Sequence, residues 1–219
     1  MNNNISIIDD FKNQKLDEKV QLYIDIFGEQ PWNEWYQCKN CETLYALSQV
    51  KREEISQCLC WWDLQAFYNP DELKKDWESW ASKAWYILKL AQTLEGDLIW
   101  FIMWWENNLD TLNQEKLSLS QEDLELVKGN IQTLYPEFDS KKFFYAADIG
   151  VKANWRGAGV ASQLYDAREQ DIQQQWFNYV IVRTTKDSDV PYVWYKQKWF
   201  QEVYEYNDAQ NRVIMVKPV

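Results

Sequence analysis

A chain of 219 residues with 46% apolar content has enough material for a substantial core and is too apolar to stay disordered. Its formal net charge of −11 argues against nucleic acid and against an anionic membrane as partners, because both are met with positive surfaces. The absence of His removes Ser-His-Asp and Cys-His catalysis and every His metal ligand, so proton transfer falls to carboxylates, Tyr, Lys, Cys or water.

Along the chain, "MNNNISIIDDFK" has no basic region followed by an apolar core, so no signal peptide is read and a cytoplasmic protein is expected. "ISII" predicts a short first strand, and the apolar spacing of "KLDEKVQLYIDIF" predicts an amphipathic helix over 15–27. "GEQPWNEW" breaks that helix, and the four Cys follow within 38–60. "NPDELKKDWESWASK" opens with Asn69 and Pro70, a helix start, and places Leu73, Trp77 and Trp80 on one face. Two strands are expected next, "AWYILKLAQ" from Ala84 and "GDLIWFIMWWE" from Gly96, joined by a hairpin turn in "TLEGD". The run "LIWFIMWW" is far too short to cross a bilayer and reads as a buried strand. Residues 107–140 form a polar, acidic excursion with one helix in "SQEDLELVKGNIQTLY", read as a solvated face, with a lid or dimer contact as the alternative. The strand "KFFYAADIGV", a glycine turn with its helix, the strand "NYVIVRT", the short helix "DVPYVWYKQ" and the strands "FQEVYEYN" and "RVIMVKP" complete the chain. With fourteen Trp and thirteen Tyr, some rings are expected to line a groove rather than the core.

Cys38 and Cys41 are spaced C-x2-C, and Cys58 and Cys60 are spaced C-x-C, with no Cys elsewhere. Two close pairs joined by a loop suit a structural tetrahedral Zn²⁺ site, with two disulfides or free thiols as the alternatives. A reducing cytosol disfavours the disulfides.

The turn "NWRGAGVAS" lies between a strand and a helix. Gly157 and Gly159 allow positive φ or close backbone approach, and the helix N-terminus presents unpaired N–H donors. Donors and dipole together suit a phosphate, and Arg156 adds charge. No Asp or Glu occurs from Lys152 through Tyr165, which is informative in so acidic a chain. The alternative is a tight turn that holds nothing. A Walker loop needs Gly-Lys-Ser/Thr at the helix start, and the chain has "GVAS" instead.

"DIGVKANWRGAGVASQL" resembles the acetyl-CoA-binding signature of the GNAT superfamily of N-acyltransferases: Gln or Arg, two residues, Gly, one residue, then Gly or Ala. Arg156, Gly159 and Ala161 fill it. Downstream, "WYKQKWF" places Tyr195 and Phe200 at the family spacing, with Trp199 where Gly is usual and Ser188 where Asn is common. The resemblance covers about 142–219. It implies an α/β (α+β) fold: a mixed, mostly antiparallel sheet flanked by helices, with a splayed parallel strand pair holding the cofactor. It also implies one acyltransferase domain over 1–219, with 36–68 as a Cys-rich insert. Some similar proteins carry such an insert after a "PWNE" segment, as here at "PWNEWYQCKNC".

The resemblance further implies that Arg156, Gly157, Ala158, Gly159, Val160 and Ala161 hold the pyrophosphate of acetyl-CoA. Ile149, Gly150 and Val151 would line the pantetheine arm, Val151 N–H would face the oxyanion, and Ser188 would lie at the cofactor. Tyr195 would protonate the leaving thiolate, and Asp148 or Glu106 would take the amine proton. Trp32, Glu34 and Trp35 would lie by the acceptor, or else simply pack the loop. The expected acceptor is a small-molecule or peptide amine, and the expected state a monomer or homodimer. The rivals are a module that binds coenzyme A without turnover and a protein-interaction module.

Overall fold

The computed structural model describes residues 5–9, 15–29, 32–175, 177–186, 189–208 and 211–219, with backbone alone at 189 and 190. The first elements are β1 (Ile5–Asp9), α1 (Leu16–Phe27), β2 (Tyr36–Cys38), β3 (Leu44–Tyr45), α2 (Leu47–Glu53) and β4 (Leu64–Ala66). Next come α3 (Pro70–Ala81), β5 (Ile87–Thr93), β6 (Leu98–Asn107), α4 (Leu109–Leu112), a π-helical turn (Asn113–Leu117) and α5 (Gln121–Leu134). The chain ends with β7 (Phe143–Val151), a 3₁₀ turn (Ala153–Trp155), α6 (Val160–Gln174), β8 (Tyr179–Thr185), α7 (Asp189–Gln197), β9 (Gln201–Glu205) and β10 (Arg212–Pro218).

Seven strands form a sheet in the order β1-β5-β6-β7-β8-β10-β9. It is mostly antiparallel: β1 with β5, and β10 with both β8 and β9. β7 and β8 are parallel, pairing Phe144↔Val180, Tyr145↔Ile181 and Ala146↔Val182, after which the pairing stops although both strands continue. β2, β3 and β4 form a separate three-stranded sheet in the order β3-β2-β4. No described helix is long and apolar enough to cross a membrane.

The chain divides into two compact units. The first comprises Met1–Lys83, Ile87–Ile102 and Ile149–Leu164. Here α1 buries Val20, Leu22, Ile26 and Phe27, the stripe its periodicity predicted. α3 starts where its sequence places the start: the Asn69 side chain accepts from the Asp71 N–H at 3.0 Å, with Pro70 in the first turn. Trp77 of α3 is fully buried, and Tyr23 of α1 meets it edge-on at 6.3 Å. The hairpin turn after β5 closes with Thr93 N–H to the Asp97 carbonyl, 3.0 Å. β5 begins at Ile87 rather than Ala84 because Trp85 adopts φ 52, which breaks an extended run.

The second unit comprises Ala84–Tyr86, Met103–Asp148 and Tyr165–Val219. The 107–140 excursion is more structured than its polarity suggested, because α4 and the π-helical turn precede the expected helix. That helix, α5, is capped by Ser120, whose Oγ accepts from the Asp123 N–H at 3.1 Å, and it buries Leu124, Val127 and Ile131. β6, buried at every position but Glu106, explains why its apolar run does not alternate: both faces are covered.

Candidate active site

The glycine turn lies in the first unit and follows β7 directly. Gly157 and Gly159 take φ +78 and +75, the left-handed region that favours glycine. An added Cβ at either would meet nothing within 4 Å, so the turn is open on the side where side chains are missing. The helix begins at Val160, with Gln163 N–H to the Gly159 carbonyl at 3.3 Å as its first backbone bond. The amides of Val160, Ala161 and Ser162 therefore have no partner within the helix. Residues 156–159, including Ala158, are exposed, whereas Val160 is buried at 2%. Arg156 folds back, its Nε donating to the Val151 carbonyl at 3.2 Å and its Cζ 5.7 Å from the Trp32 ring. The donor set fits a diphosphate: three amides with no partner within the helix, open space beside two left-handed glycines, and one guanidinium within five residues.

Ile149 and Val151 are half-buried at the end of β7. Gly150 is set by packing, since an added Cβ would sit 2.7 Å from Ile26 Cγ2 and 3.0 Å from Phe101 Cε1. Its missing side chain admits α1 against the strand. Lys152 N–H bonds to the Ile99 carbonyl at 3.0 Å, and Lys152 Nζ lies 3.6 Å from Asp25. These contacts pin the entry to the turn.

Tyr195, Asp148 and Glu106 belong to the second unit. Tyr195 is only 4% exposed, and its ring meets Trp194 and Phe200 edge-on, each at 5.1 Å. Burial pushes its phenol up to about 12, while the Arg168 charge pulls down and the Asp148 charge pushes up. Asp148 is half-buried, close enough for its charge to act on both Tyr195 and Tyr145. Glu106 is half-buried near the end of β6, its N–H bonded to the Ala84 carbonyl at 3.2 Å. Ser188 lies outside the described residues.

In the "PWNEW" segment, Pro31 lies outside the described residues and the remainder packs. Trp32 meets Phe27 edge-on at 5.0 Å, and Tyr68 donates its hydroxyl to the Glu34 carboxylate. Trp35 lies against Gly28, where an added Cβ would come within 2.4 Å of its Cε3. Loop packing therefore accounts for Glu34 and Trp35.

The four cysteines come together in the first unit, with their Sγ atoms all within 4.8 Å of one another. Cys38 and Cys60 are 3.3 Å apart, Cys41 and Cys58 3.4 Å, and Cys41 and Cys60 3.6 Å. A tetrahedral zinc with Zn–S near 2.3 Å places its sulfurs about 3.8 Å apart, so the set fits that ion. Each pair sits on a tight turn. Glu42 N–H bonds to the Cys38 carbonyl at 3.2 Å, and Trp61 N–H to the Cys58 carbonyl at 2.8 Å. The Asn40 N–H donates to Cys38 Sγ at 3.4 Å, and the Tyr45 hydroxyl to Cys58 Sγ at 3.1 Å. The small sheet carries these turns, with Tyr36 opposite both Tyr45 and Ala66.

Sequence reasoning missed Glu29, whose carboxylate accepts from the Ser48 N–H at 3.1 Å and from its hydroxyl, capping α2 from a distance. It also missed Tyr45, which only its position between the Cys pairs could have marked.

No family model matches the chain, and no curated protein matches it. Solved structures do match. One is the GCN5-related glucosamine N-acetyltransferase region of a fungal multi-domain β-N-acetylglucosaminidase, at TM-score 0.54 and 13% identity over 92% of this chain. The chain spans only 17% of that protein. A second is Ard1 from Thermoplasma volcanium, at TM-score 0.52 and 14% identity, covering 99% of this chain and 98% of that one. A third is the PaiA N-acetyltransferase from Thermoplasma acidophilum, solved with coenzyme A, at TM-score 0.52 and 12% identity, covering 98% and 99%. At these identities the likeness speaks for architecture alone. With its sheet order and its parallel β7–β8 pair, the chain has the GNAT fold.

Proposed function

We propose that this protein is a cytoplasmic N-acetyltransferase that moves an acetyl group from acetyl-CoA to a primary amine of a small molecule or peptide. The observation that carries this reading is the turn at 156–161: two left-handed glycines with open space above them, at the start of a fifteen-residue helix, beside Arg156. Its amides and the helix dipole would hold the pyrophosphate, and the guanidinium would add charge. Ile149, Gly150 and Val151 would offer backbone to the pantetheine arm.

In the reaction the amine nitrogen attacks the thioester carbonyl carbon, the C–N bond forms and the C–S bond breaks. The products are an amide and the free thiol of coenzyme A. The Val151 N–H would face the developing oxyanion. One proton leaves the amine for a carboxylate, and one reaches the departing sulfur from Tyr195. Both are half-buried, and Glu106 suits the base better than Asp148 because its carboxylate has no hydrogen bond or ion pair with a described residue. The four cysteines would hold one structural Zn²⁺ with all four positions filled by sulfur, leaving no open coordination site for chemistry. The chain would act as a monomer or homodimer.

One observation favours the rival, a module that binds coenzyme A without turnover. Tyr195 is buried and its phenol is pushed up to about 12, well above an ordinary thiol, which makes it a reluctant donor. Thermal melting with acetyl-CoA, followed by thiol release with a panel of amines, separates the readings. The acetyltransferase reading expects a raised midpoint and release of thiol that Tyr195→Phe slows about 10²-fold or more without altering the midpoint shift. A shift with no release for any amine favours the rival, and no shift at saturating acetyl-CoA overturns both.

A further inference from the structure

Arg168 lies on α6 between Leu164 and Ile172, a turn from each, and like them it is wholly buried. Its Nε, Nη1 and Nη2 have no hydrogen-bond partner among the described residues. Its Cζ stacks 4.1 Å from the Tyr165 ring centroid on one side and lies 5.8 Å from the Trp104 ring. The Trp104 indole nitrogen is also buried without a partner among the described residues. The second unit thus holds an arginine fork and an indole, all N–H donors, and no described residue supplies them an acceptor.

The carboxylates nearby on the same helix are already engaged. Asp166 pairs with Lys198 at 2.8 Å, and Glu169 pairs with Lys217. Lys198 and Lys217 lie 4.7 and 5.3 Å from the Tyr165 ring, and Lys217 Nζ donates to the Tyr165 hydroxyl at 3.3 Å. Around Tyr165, therefore, Asp166 and Glu169 are each paired with a lysine, and Asp148, whose charge acts with that of Arg168 on Tyr195, makes no hydrogen bond to the guanidinium.

A guanidinium cannot shed its charge on burial as a lysine can. The flanking rings offer it some cation–π attraction, but in the guanidinium plane its N–H groups remain unmatched. Leaving a buried charge without a counter-charge is among the most costly arrangements a folded chain can adopt. Water would satisfy the donors without balancing the charge.

We propose that Arg168 and the Trp104 indole N–H bind a small monovalent anion inside the second unit. Halide and carboxylate share the required chemistry: one negative charge, compact, accepting several N–H donors at once. Such a site is distinct from the glycine turn, since none of its residues belongs to 156–161.

Two measurements test this. The first is the melting midpoint of the full chain as chloride or acetate replaces a bulky sulfonate at constant ionic strength. A saturable rise is expected, about 5–10 °C at hundred-fold excess over the dissociation constant. Arg168→Met, which removes the charge at similar length, should fold and lose the dependence. A rise with both anions assigns the site to a free ion, and a rise with acetate alone assigns it to a carboxylate ligand. The second measurement is anomalous diffraction from a bromide-soaked crystal of the unmodified protein, where a peak is expected within hydrogen-bonding reach of Arg168. It keeps the proposal open to refutation even if the variant fails to fold. No anion dependence, equal dependence in Arg168→Met, or a bromide-soaked crystal with only water beside Arg168 would each overturn the proposal.

Discussion

Replacing Gly150 with Ala tests how β7 is held where it enters the glycine turn. The new Cβ would lie 2.7 Å from Ile26 Cγ2, 3.0 Å from Phe101 Cε1 and 3.1 Å from Ile26 Cδ1. Comfortable carbon contacts lie at about 3.5–4.0 Å, so two of the neighbours must retreat by roughly half an ångström or more. Neither has room, because Ile26 and Phe101 are fully buried and Phe101 lies 6.1 Å from the Phe27 ring and 5.8 Å from Trp77. Overpacking of this kind costs about 1–3 kcal/mol, and three short contacts with two rigid neighbours put the expectation at about 2–3 kcal/mol. For a chain of this length that lowers the midpoint by about 4–12 °C, read by calorimetry or circular dichroism. Ile26→Ala in the same chain removes two of the three contacts. The double variant should then be less destabilised than the sum of its singles, by about 0.5–3 kcal/mol. A Gly150→Ala variant that melts with the unmodified protein, or a double variant whose losses simply add, would show that α1 does not press on this strand.

Three further outcomes are expected. Gly129 lies in the middle of α5 with nothing within 4 Å of an added Cβ, so Gly129→Ala should stabilise by about 0.5–1 kcal/mol, checked by urea unfolding; a loss would contradict the helix. A strong chelator should strip one zinc per chain, measured by metal analysis, and lower the melting midpoint by about 10 °C or more; protein purified without metal and unmoved by chelation would refute the zinc assignment. Stability should also fall in alkali. Burial raises Tyr195 from about 10 unfolded to about 12 folded, so its contribution of roughly 2–3 kcal/mol opposes folding of the ionised form, and the folded state loses ground only as the unfolded phenol ionises, from about pH 10 to 12. Tyr195→Phe lacks that ionisation and should show a shallower fall over the same range; parallel slopes would deny the burial effect.

Much of the fold was legible because local rules and tertiary packing agree. Asn69 and Pro70 start α3, Ser120 caps α5, and the left-handed turn falls on the two glycines best able to adopt it. The Cys-rich segment was legible as chemistry but not as structure, since its strands are only two or three residues long and owe their shape to the turns around the cysteines. Gly150 reads in sequence as part of a ligand-binding strand. Its packing against Ile26 depends on a helix far away in the chain, which no local pattern reveals. Arg168 sits in a polar run that looks solvated, yet the four-residue spacing of Leu164, Arg168 and Ile172 sets it on the buried stripe. That spacing was the available signal, and the surrounding charges obscured it.

Glu29 braces the Cys-rich segment within its unit. α2 has no side-chain cap of its own at Ala46, and Glu29 supplies the missing acceptor and negative charge at its N-terminus. Val50 of α2 and the nearby Ile55 pack on the cluster of Cys38, Tyr45 and Cys58, so ordering the cysteines orders the helix that Glu29 caps. The Glu29 carbonyl in turn accepts from the N–H groups of Trp32 and Asn33, each at 3.1 Å, which turns the Trp32 ring toward Arg156. From the cysteines to the guanidinium beside the glycine turn, each link is a contact within a single unit. A metal bound by the four cysteines would organise the first link and so steady the last.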